Sequence, residues 1–219
     1  MKYLISCLFR SRGKWGFIST LKRDAKILDV GCGCATVVGT KNILPNSTYY
    51  GIDIGDYGQN EYSKSLIDNY VITTPENFSE GILKIKEEFD AVISSHNLEH
   101  CNDRDKVLYS MMQKVRKGGK LFISFPTSKS IEFPNRAGLN YYDDETHKFL
   151  PPNSDYIINE LQKNDFKIIF HIKRYRPSIF FLIGLLLEPF SVIAKKPLKG
   201  TWELYGFETI IHAKKFENE

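Results

Sequence analysis

The chain has 219 residues, of which 42% are hydrophobic and 26% are charged, so it is large enough to bury the core of one enzyme-sized domain. A formal net charge of +4, with acids interspersed among the basic residues, argues against a nucleic-acid partner. The four cysteines form no CxxC pair, which argues against a zinc site and a disulfide framework. We therefore expect reduced thiols and a cytoplasmic protein.

The amino terminus, MKYLISCLFRSRGKW, carries a short apolar run that Arg10, Arg12 and Lys14 interrupt. A secretory signal needs about 7 to 15 apolar residues before its cleavage site, so we expect no signal peptide here. The segment is more typical of a basic helix that covers the sheet edge or the mouth of the site described next.

An apolar strand then runs directly into a glycine turn, in the sequence KILDVGCGCA of residues 26–35. Gly31 and Gly33 let the backbone turn sharply and approach a ligand, and Asp29 stands at the strand's carboxyl end, where open α/β sheets bind ligands. A dinucleotide fingerprint would need glycine where Thr36 stands, and no Gly-Lys-Ser/Thr ending follows. The turn therefore predicts a cofactor that does not approach through a pyrophosphate.

Strand and helix patterns alternate along the rest of the chain, which predicts a parallel sheet covered by helices. The clearest helix is 103–116, opened by Asn102 as N-cap and closed at Gly118, and a second helix is expected near 154–163. The predicted strands lie at about 26–30, 48–54, 70–73, 90–95 and 120–125, followed by FKIIFHIKR and YGFETIIHAKK.

These motifs resemble those of the class I S-adenosylmethionine-dependent methyltransferases, most strongly over residues 20–126. ILDVGCG matches the first motif of that family, TYYGIDI places Asp53 where a carboxylate accepts the ribose hydroxyls, and FDAVISSHNLEH matches the fourth-strand motif. The chain departs from many members at Ala35, where they carry a third glycine. The resemblance implies S-adenosylmethionine as cofactor and a doubly wound, seven-stranded, mostly parallel sheet with strand seven antiparallel. The implied cofactor-binding residues are Asp29, Gly31, Cys32, Gly33, Asp53, Ile54 and His96, the last through its backbone carbonyl.

Three histidines stand where the reaction would take place. Methyl transfer from a sulfonium is an in-line displacement, and a hydroxyl acceptor must also lose a proton, for which histidine is the natural base near neutral pH. We predict His147 as this base, with His96 as the other catalytic candidate. His100 lies in the family's Leu-Glu-His turn and is expected to be structural.

The first of two insertions covers residues 127–152, directly after strand five. Its aromatic and polar side chains suit a hydroxylated acceptor such as a sugar, and the alternative is a surface loop whose acids are solvated. The acids at 143–145 together with His147 also raise the alternative of a Mg²⁺ site, although we assign no metal ligand.

The second insertion, residues 175–204, contains the apolar run SIFFLIGLLLEPFSVIA at 178–194. The run is too short and too interrupted to span a bilayer, but basic residues flank it, as in a helix that lies on anionic lipid. The alternatives are a helix packed on the core and a homodimer contact. We expect one methyltransferase domain over residues 1–219, cytoplasmic or peripheral at the inner membrane face.

The acceptor is predicted from a narrower resemblance. FPNRAGLNYYDDETHKFLPP and WELYGFETIIHAKK are similar to segments of methyltransferases in bacterial surface polysaccharide (O-antigen and capsule) biosynthesis. This similarity implies O-methylation of a saccharide. Two alternatives stay open: a small lipid-soluble acceptor such as a quinone precursor, and a cofactor-binding or scaffold protein without activity, against which the intact Asp29, Gly31, Gly33 and Asp53 argue.

Overall fold

The computed structural model describes residues 11–34, 36–147 and 149–217. Within them a seven-stranded sheet has the order β3-β2-β1-β4-β5-β7-β6. Strands β1 to β5 pair in parallel, and β7 runs antiparallel to both β5 and β6. The predicted sheet with an antiparallel strand seven is confirmed. The strands are β1 (Lys26–Val30), β2 (Thr48–Asp53), β3 (Asn69–Ile72), β4 (Phe89–Ser95), β5 (Val115–Pro126), β6 (Phe166–Ile172) and β7 (Glu208–Lys215).

Helices cover both faces of this sheet. None of the described helices has the length and apolar character needed to cross a membrane. The basic helix expected over the first fifteen residues falls mostly on residues 1–10, which lie outside the described residues. The α-helices are α1 (Lys14–Ser19), α2 (Thr36–Ile43), α3 (Glu61–Ser65), α4 (Phe78–Lys84), α5 (Arg104–Lys114), α6 (Ser154–Lys163), α7 (Ser178–Ala194) and α8 (Thr201–Tyr205).

The central strands are apolar on both faces, as expected for parallel strands that lie between two helical layers. Leu28 and Val92 point into one core cluster, whereas Ile27, Ile93 and Phe122 point into the cluster on the opposite face. Since successive side chains of a strand alternate between faces, these residues hold β1, β4 and β5 firmly from both sides. The carboxyl ends of these strands are thereby fixed, and the loops that follow them carry the candidate site.

The boundaries of the predicted helix 103–116 need correction. Asp103, rather than Asn102, caps α5, because its Oδ1 accepts a hydrogen bond of 3.0 Å from the Lys106 amide. The helix ends at Lys114, since Val115 already pairs with Phe89 at the start of β5. Gly118, with a φ of +71°, therefore lies in an irregular part of the strand and does not end the helix.

Candidate active site

The site lies where the strand order reverses, between the carboxyl ends of β1 and β4. The glycine turn follows β1, and the loop of residues 96–101 follows β4, so the two face each other across this crevice. Gly31 has a φ of +76°, and a Cβ at this position would collide with the Asn97 side chain. Both the backbone conformation and this close approach require glycine at position 31.

Asp53 joins the end of β2 to the glycine turn. Its Oδ2 accepts a hydrogen bond of 2.8 Å from the Gly33 amide, and its Oδ1 accepts one of 2.8 Å from the Ile54 amide. Burial raises the pKa of this carboxyl, although the two amides act in the opposite direction. Each oxygen retains a lone pair for a ribose hydroxyl, and the space above Gly33 is open, since an added Cβ would meet nothing within 4 Å. These residues therefore fit S-adenosylmethionine, and the ribose contact itself stays a prediction.

Asp29 lies beneath the turn rather than at its surface. It is buried and accepts a hydrogen bond of 2.7 Å from the Tyr49 hydroxyl, and burial raises the pKa of its carboxyl, while the charge of Lys14 opposes that rise. Cys32 is also buried, in a small cluster with Val37 and Tyr49, so only its backbone is left for the predicted cofactor contact. Asp29 and the Cys32 side chain thus hold the loop from below.

A groove of about 640 Å³ opens on one side of the loop 96–101. Ile54, whose side chain is exposed, and Phe78 supply apolar surface, and Asn97 and Cys101 form the wall that belongs to the loop. This surface offers apolar side chains beside polar groups of the loop, which is compatible with a flat aromatic group such as the adenine of the cofactor. The contact predicted for Ile54 is compatible with its place here and stays a prediction.

A second cavity, of about 490 Å³, opens on the other side of the same loop. Four aromatic side chains from three separate segments line it, together with several ionisable side chains. The structure therefore brings the two predicted catalytic histidines to one cavity. Its aromatic wall consists of Trp15, Tyr175, Trp202 and Phe207, and its ionisable lining includes His96, Glu99, His100, Asp144, His147, Glu203 and Glu208.

His147 is set up to accept a proton. Its Nδ1 lies 2.6 Å from the carbonyl oxygen of Tyr141, which can only accept, so in the neutral ring Nδ1 carries the proton and Nε2 keeps its lone pair. The imidazole stacks on the Tyr141 ring with centroids 4.1 Å apart, and only 6% of its side chain is accessible. The ring is thus fixed in one orientation and one tautomer.

His96, in contrast, lies between two carboxylates. Its Nδ1 lies 3.2 Å from Glu99 Oε1 and its Nε2 lies 3.5 Å from Glu208 Oε1. Burial by itself lowers the pKa of this imidazole, but the hydrogen bonds and charges of the two carboxylates outweigh it and raise the pKa to about 10. A ring that is protonated at neutral pH cannot take a proton from the acceptor. The structure therefore argues against His96 as the base, and the role of its carbonyl towards the cofactor stays a prediction.

His100 joins His147 in a group that can hold a metal ion. One ligand atom each from Glu99, His100 and His147 lies within 4.8 Å of the others. Glu99 is buried, and neither of its oxygens makes a well-directed hydrogen bond among the described residues. Two imidazoles and a carboxylate suit a divalent transition metal better than Mg²⁺. In that arrangement Nε2 of His147 would serve as a ligand, and the base would be a water on the metal.

Among the described residues, the acids of the insertion form no group with His147 that could hold a metal ion. Asp143 Oδ2 accepts hydrogen bonds of 2.9 to 3.0 Å from the amides of Arg136, Gly138 and Asn140, so this carboxylate holds the loop together. Asp144 accepts a hydrogen bond from Thr146 instead. Of the groups considered from the sequence, only His147 belongs to the cluster with Glu99 and His100.

The comparisons with known proteins agree with this geometry. A family model described as "Methyltransferase domain" matches residues 12–171, well over half of the chain. The chain belongs to this family. The predicted enzyme class, an S-adenosylmethionine-dependent methyltransferase, and its cofactor are thereby confirmed.

Curated relatives of this methyltransferase include the ubiquinone biosynthesis O-methyltransferase of Pseudomonas syringae pv. tomato. It is 29% identical over 160 residues, which cover 70% of this chain and 59% of the relative. The chain thus matches little more than half of that relative's length.

Two solved structures show the same fold. An S-adenosylmethionine-dependent methyltransferase from Archaeoglobus fulgidus is 18% identical, with a TM-score of 0.55 over 97% of this chain and 94% of that one. Coclaurine N-methyltransferase is 13% identical, with a TM-score of 0.60 over 97% of this chain and 72% of that one.

Several residues of the methyltransferase site could not be found from the sequence alone. Gln59 Nε2 donates a hydrogen bond of 2.5 Å to the Gly33 carbonyl, and Arg104 donates to the carbonyls of Leu98 and Glu99 behind the cavity. Trp202 reaches the cavity from α8 and donates from Nε1 to the Gly138 carbonyl at 3.1 Å. The contacts of Gln59 and Trp202 join residues that are 26 and 64 positions apart, and nothing in the local sequence signals them.

Proposed function

We propose that this methyltransferase transfers a methyl group to a phenolic hydroxyl of a small, lipid-soluble aromatic acceptor of the quinone-precursor class. The observation that carries the proposal is the cavity that four aromatic side chains line together with His147, whose Nδ1 is held by the Tyr141 carbonyl. Relatives with 28 to 29% identity over 160 residues are named as ubiquinone biosynthesis O-methyltransferases, which supports a quinone-type acceptor rather than the saccharide predicted from the sequence.

The proton balance also favours a phenol. A phenolic hydroxyl has a pKa of about 10, whereas water, a guide to an aliphatic hydroxyl, has one of about 15.7. General base catalysis is most efficient when the pKa values of base and acceptor lie close, so a neutral imidazole is far better matched to a phenol. The base therefore suits an aromatic hydroxyl, and a sugar hydroxyl would need further activation.

The reaction then follows from the positions of these groups. When bound, S-adenosylmethionine would supply an electrophilic methyl group, and Asp53 with the turn of residues 29–33 would hold it. His147 Nε2 takes the phenolic proton while the phenolate oxygen attacks the methyl carbon. The new C–O bond forms as the C–S bond breaks, which leaves S-adenosylhomocysteine, the methyl ether and a proton on His147. His96, already protonated, orders the cavity wall through Glu99 and Glu208.

The proposal is tested by turnover with methyl-labelled S-adenosylmethionine and three acceptors: a prenylated catechol, its dimethyl ether as matched control, and a lipid-linked glycan. The expected result is label in the catechol alone, with a product heavier by one methylene group. Label in the glycan alone would contradict the phenolic acceptor and restore the saccharide. No label in any acceptor, with cofactor binding intact, would also contradict it.

A further inference from the structure

The helix α7 has its apolar side facing outwards. On a helix of 3.6 residues per turn, one narrow stripe holds the exposed side chains Ile179, Leu182, Leu186, Phe190 and Ile193. Leu186 is 74% exposed and Ile193 is 79% exposed, so this stripe does not pack on the core. A helix on the surface of a water-soluble protein would normally carry polar residues on this side.

The opposite side of α7 explains how the helix is attached. Gly184 is buried so closely against Gly200 that any Cβ there would collide with the Gly200 backbone. Glu188 Oε1 accepts hydrogen bonds of 2.7 Å from Arg136 and 2.8 Å from the Tyr205 hydroxyl, and Ser191 is fully buried. Small and polar residues thus hold the helix to the protein. The exposed stripe contributes little to that contact.

The charges around the stripe are of one sign. Arg176 stands just before α7, and Lys195, Lys196 and Lys199 follow it, all of them exposed. The ion pairs found among the described residues involve none of these four. The acid within the helix, Glu188, is bound to Arg136 on the inner side. The outer side of α7 therefore presents apolar side chains between basic ends.

We infer that α7 docks on an anionic lipid surface, with the stripe 179, 182, 186, 190 and 193 inserted below the headgroups and the flanking lysines against lipid phosphates. Apolar insertion and attraction to anionic headgroups act together in such interfacial helices. A second copy of the chain is the less favourable occupant, because two such faces would bring their lysines together, and like charges across an interface are costly.

Docking in this manner places the acceptor cavity near the lipid. Trp202 and Glu203, which line the cavity, belong to α8, and α8 is attached to α7 through Tyr205 and Glu188. A lipid-soluble acceptor could then enter from the membrane. This consequence rests on the proposed function, but the docking itself does not depend on which acceptor is used.

Co-sedimentation of the full chain with vesicles tests the inference without any turnover. Vesicles of phosphatidylcholine with phosphatidylglycerol are compared with pure phosphatidylcholine vesicles, at low and at high salt. We expect binding to the anionic vesicles only, and a marked loss at high salt, because screening shortens the range of surface charges. Absence of binding at low salt would overturn the inference and would leave the proposed methyl transfer untouched.

Three variants separate the contributions. The double substitution Leu186→Asp with Ile193→Asp should weaken vesicle binding at least tenfold, and Lys195→Gln with Lys196→Gln should weaken it about 30-fold. Leu83→Asp, on α4 and 44% exposed, is the matched control and should bind like the unchanged chain. Equal binding by all variants would overturn the inference.

Sedimentation velocity without lipid tests whether a second copy of the chain binds the stripe instead. A dimer that the Leu186→Asp with Ile193→Asp substitution abolishes, together with vesicle binding that this substitution leaves unchanged, would assign the stripe to a second copy and overturn lipid docking. Unchanged melting curves for the variants are the expected control, since the substituted side chains are exposed.

Discussion

The cofactor side and the acceptor side of this methyltransferase are held together in different ways. On the cofactor side, the backbone amides of Gly33 in the turn and of Ile54 just after β2 donate to Asp53, within one β1-α2-β2 unit. On the acceptor side, Arg136 and Glu188 join the two insertions through side chains that are 52 positions apart. The first kind of contact leaves a short motif in the sequence, and the second leaves none.

The largest expected effect on the acceptor side comes from His147→Asn. The variant keeps a donor for the Tyr141 carbonyl but lacks a basic nitrogen, so turnover should fall by about 10² or more while the affinity for S-adenosylmethionine stays near that of the unchanged protein. Steady-state kinetics and calorimetry measure the two quantities. His171→Asn, on β6, is the control and should keep its turnover. Unchanged turnover in His147→Asn would remove His147 from the reaction.

His147 acts either as the base itself or as a ligand of a metal ion, and a chelator distinguishes these two roles. If His147 is the base and Glu99, His100 and His147 hold no metal ion, treatment with a chelator should leave turnover unchanged. A loss of turnover that a divalent transition metal restores would replace the free-base mechanism with one in which the metal activates a water. Metal analysis of the purified protein gives the independent readout.

The contact between the insertions should break with Arg136→Met. Arg136 donates to Glu188 and to the Tyr205 hydroxyl, and its loss leaves a half-buried carboxylate without its cation. We expect the free energy of unfolding to fall by about 2 kcal/mol in denaturant titration, because hydrogen bonds to charged groups are worth roughly that amount. Lys129→Met, which removes an exposed ion pair with Glu132, should change it by less than about 0.5 kcal/mol. Equal effects of the two variants would contradict this account.

The cofactor side should break with Asp53→Ala. The substitution removes the acceptor of both turn amides and of the expected ribose bonds, so affinity for S-adenosylmethionine should fall about tenfold or more. Asp56→Ala, which removes a surface ion pair with Lys64, is the matched control in the same loop. Cofactor affinity that is unchanged in Asp53→Ala would contradict the assignment of Asp53 to the cofactor site.

A separate effect is expected on the pH dependence of stability. Because the folded pKa of His96 is raised to about 10 from an ordinary 6.5, its charge stabilises the fold fully below pH 6.5 and loses that effect as pH rises through about 10. The unchanged protein should therefore lose more stability than His96→Gln between these two values. Equal pH dependence of stability in the two proteins would contradict a charged His96 held by Glu99 and Glu208. An NMR titration that gives the His96 ring a pKa near 6.5 would contradict it as well.

Much of the fold could be predicted because the signals are local. The strands carry apolar runs, the glycine turn carries its spacing, and Asp53 stands at the end of β2, so the cofactor side was accessible to sequence reasoning. The prediction of Asn102 as N-cap was wrong. Asn102 and Asp103 are both suitable N-cap residues, and only the backbone conformation decides which of them caps the helix. The protonated state of His96 could not be predicted, because Glu208 comes from a distant strand.

The acceptor side shows the opposite balance. The position of His147 in the first insertion was enough to predict it at the acceptor site. Its tautomer, however, depends on the Tyr141 carbonyl, which only the folded loop presents. The exposed stripe of α7 was visible as an apolar run, whereas its outward orientation depends on the contact of Gly184 with Gly200. Sequence patterns thus indicated which segments matter, and long-range packing decided what their side chains do.

The most direct test of the central claim is a calorimetric titration of the unchanged chain with S-adenosylmethionine and S-adenosylhomocysteine. We expect both ligands to bind at the same single site, more weakly in Asp53→Ala and with unaltered affinity in His147→Asn and in the Leu186→Asp with Ile193→Asp variant. Absence of binding by the folded, unchanged protein would contradict the assignment of the glycine turn and Asp53 as the cofactor site.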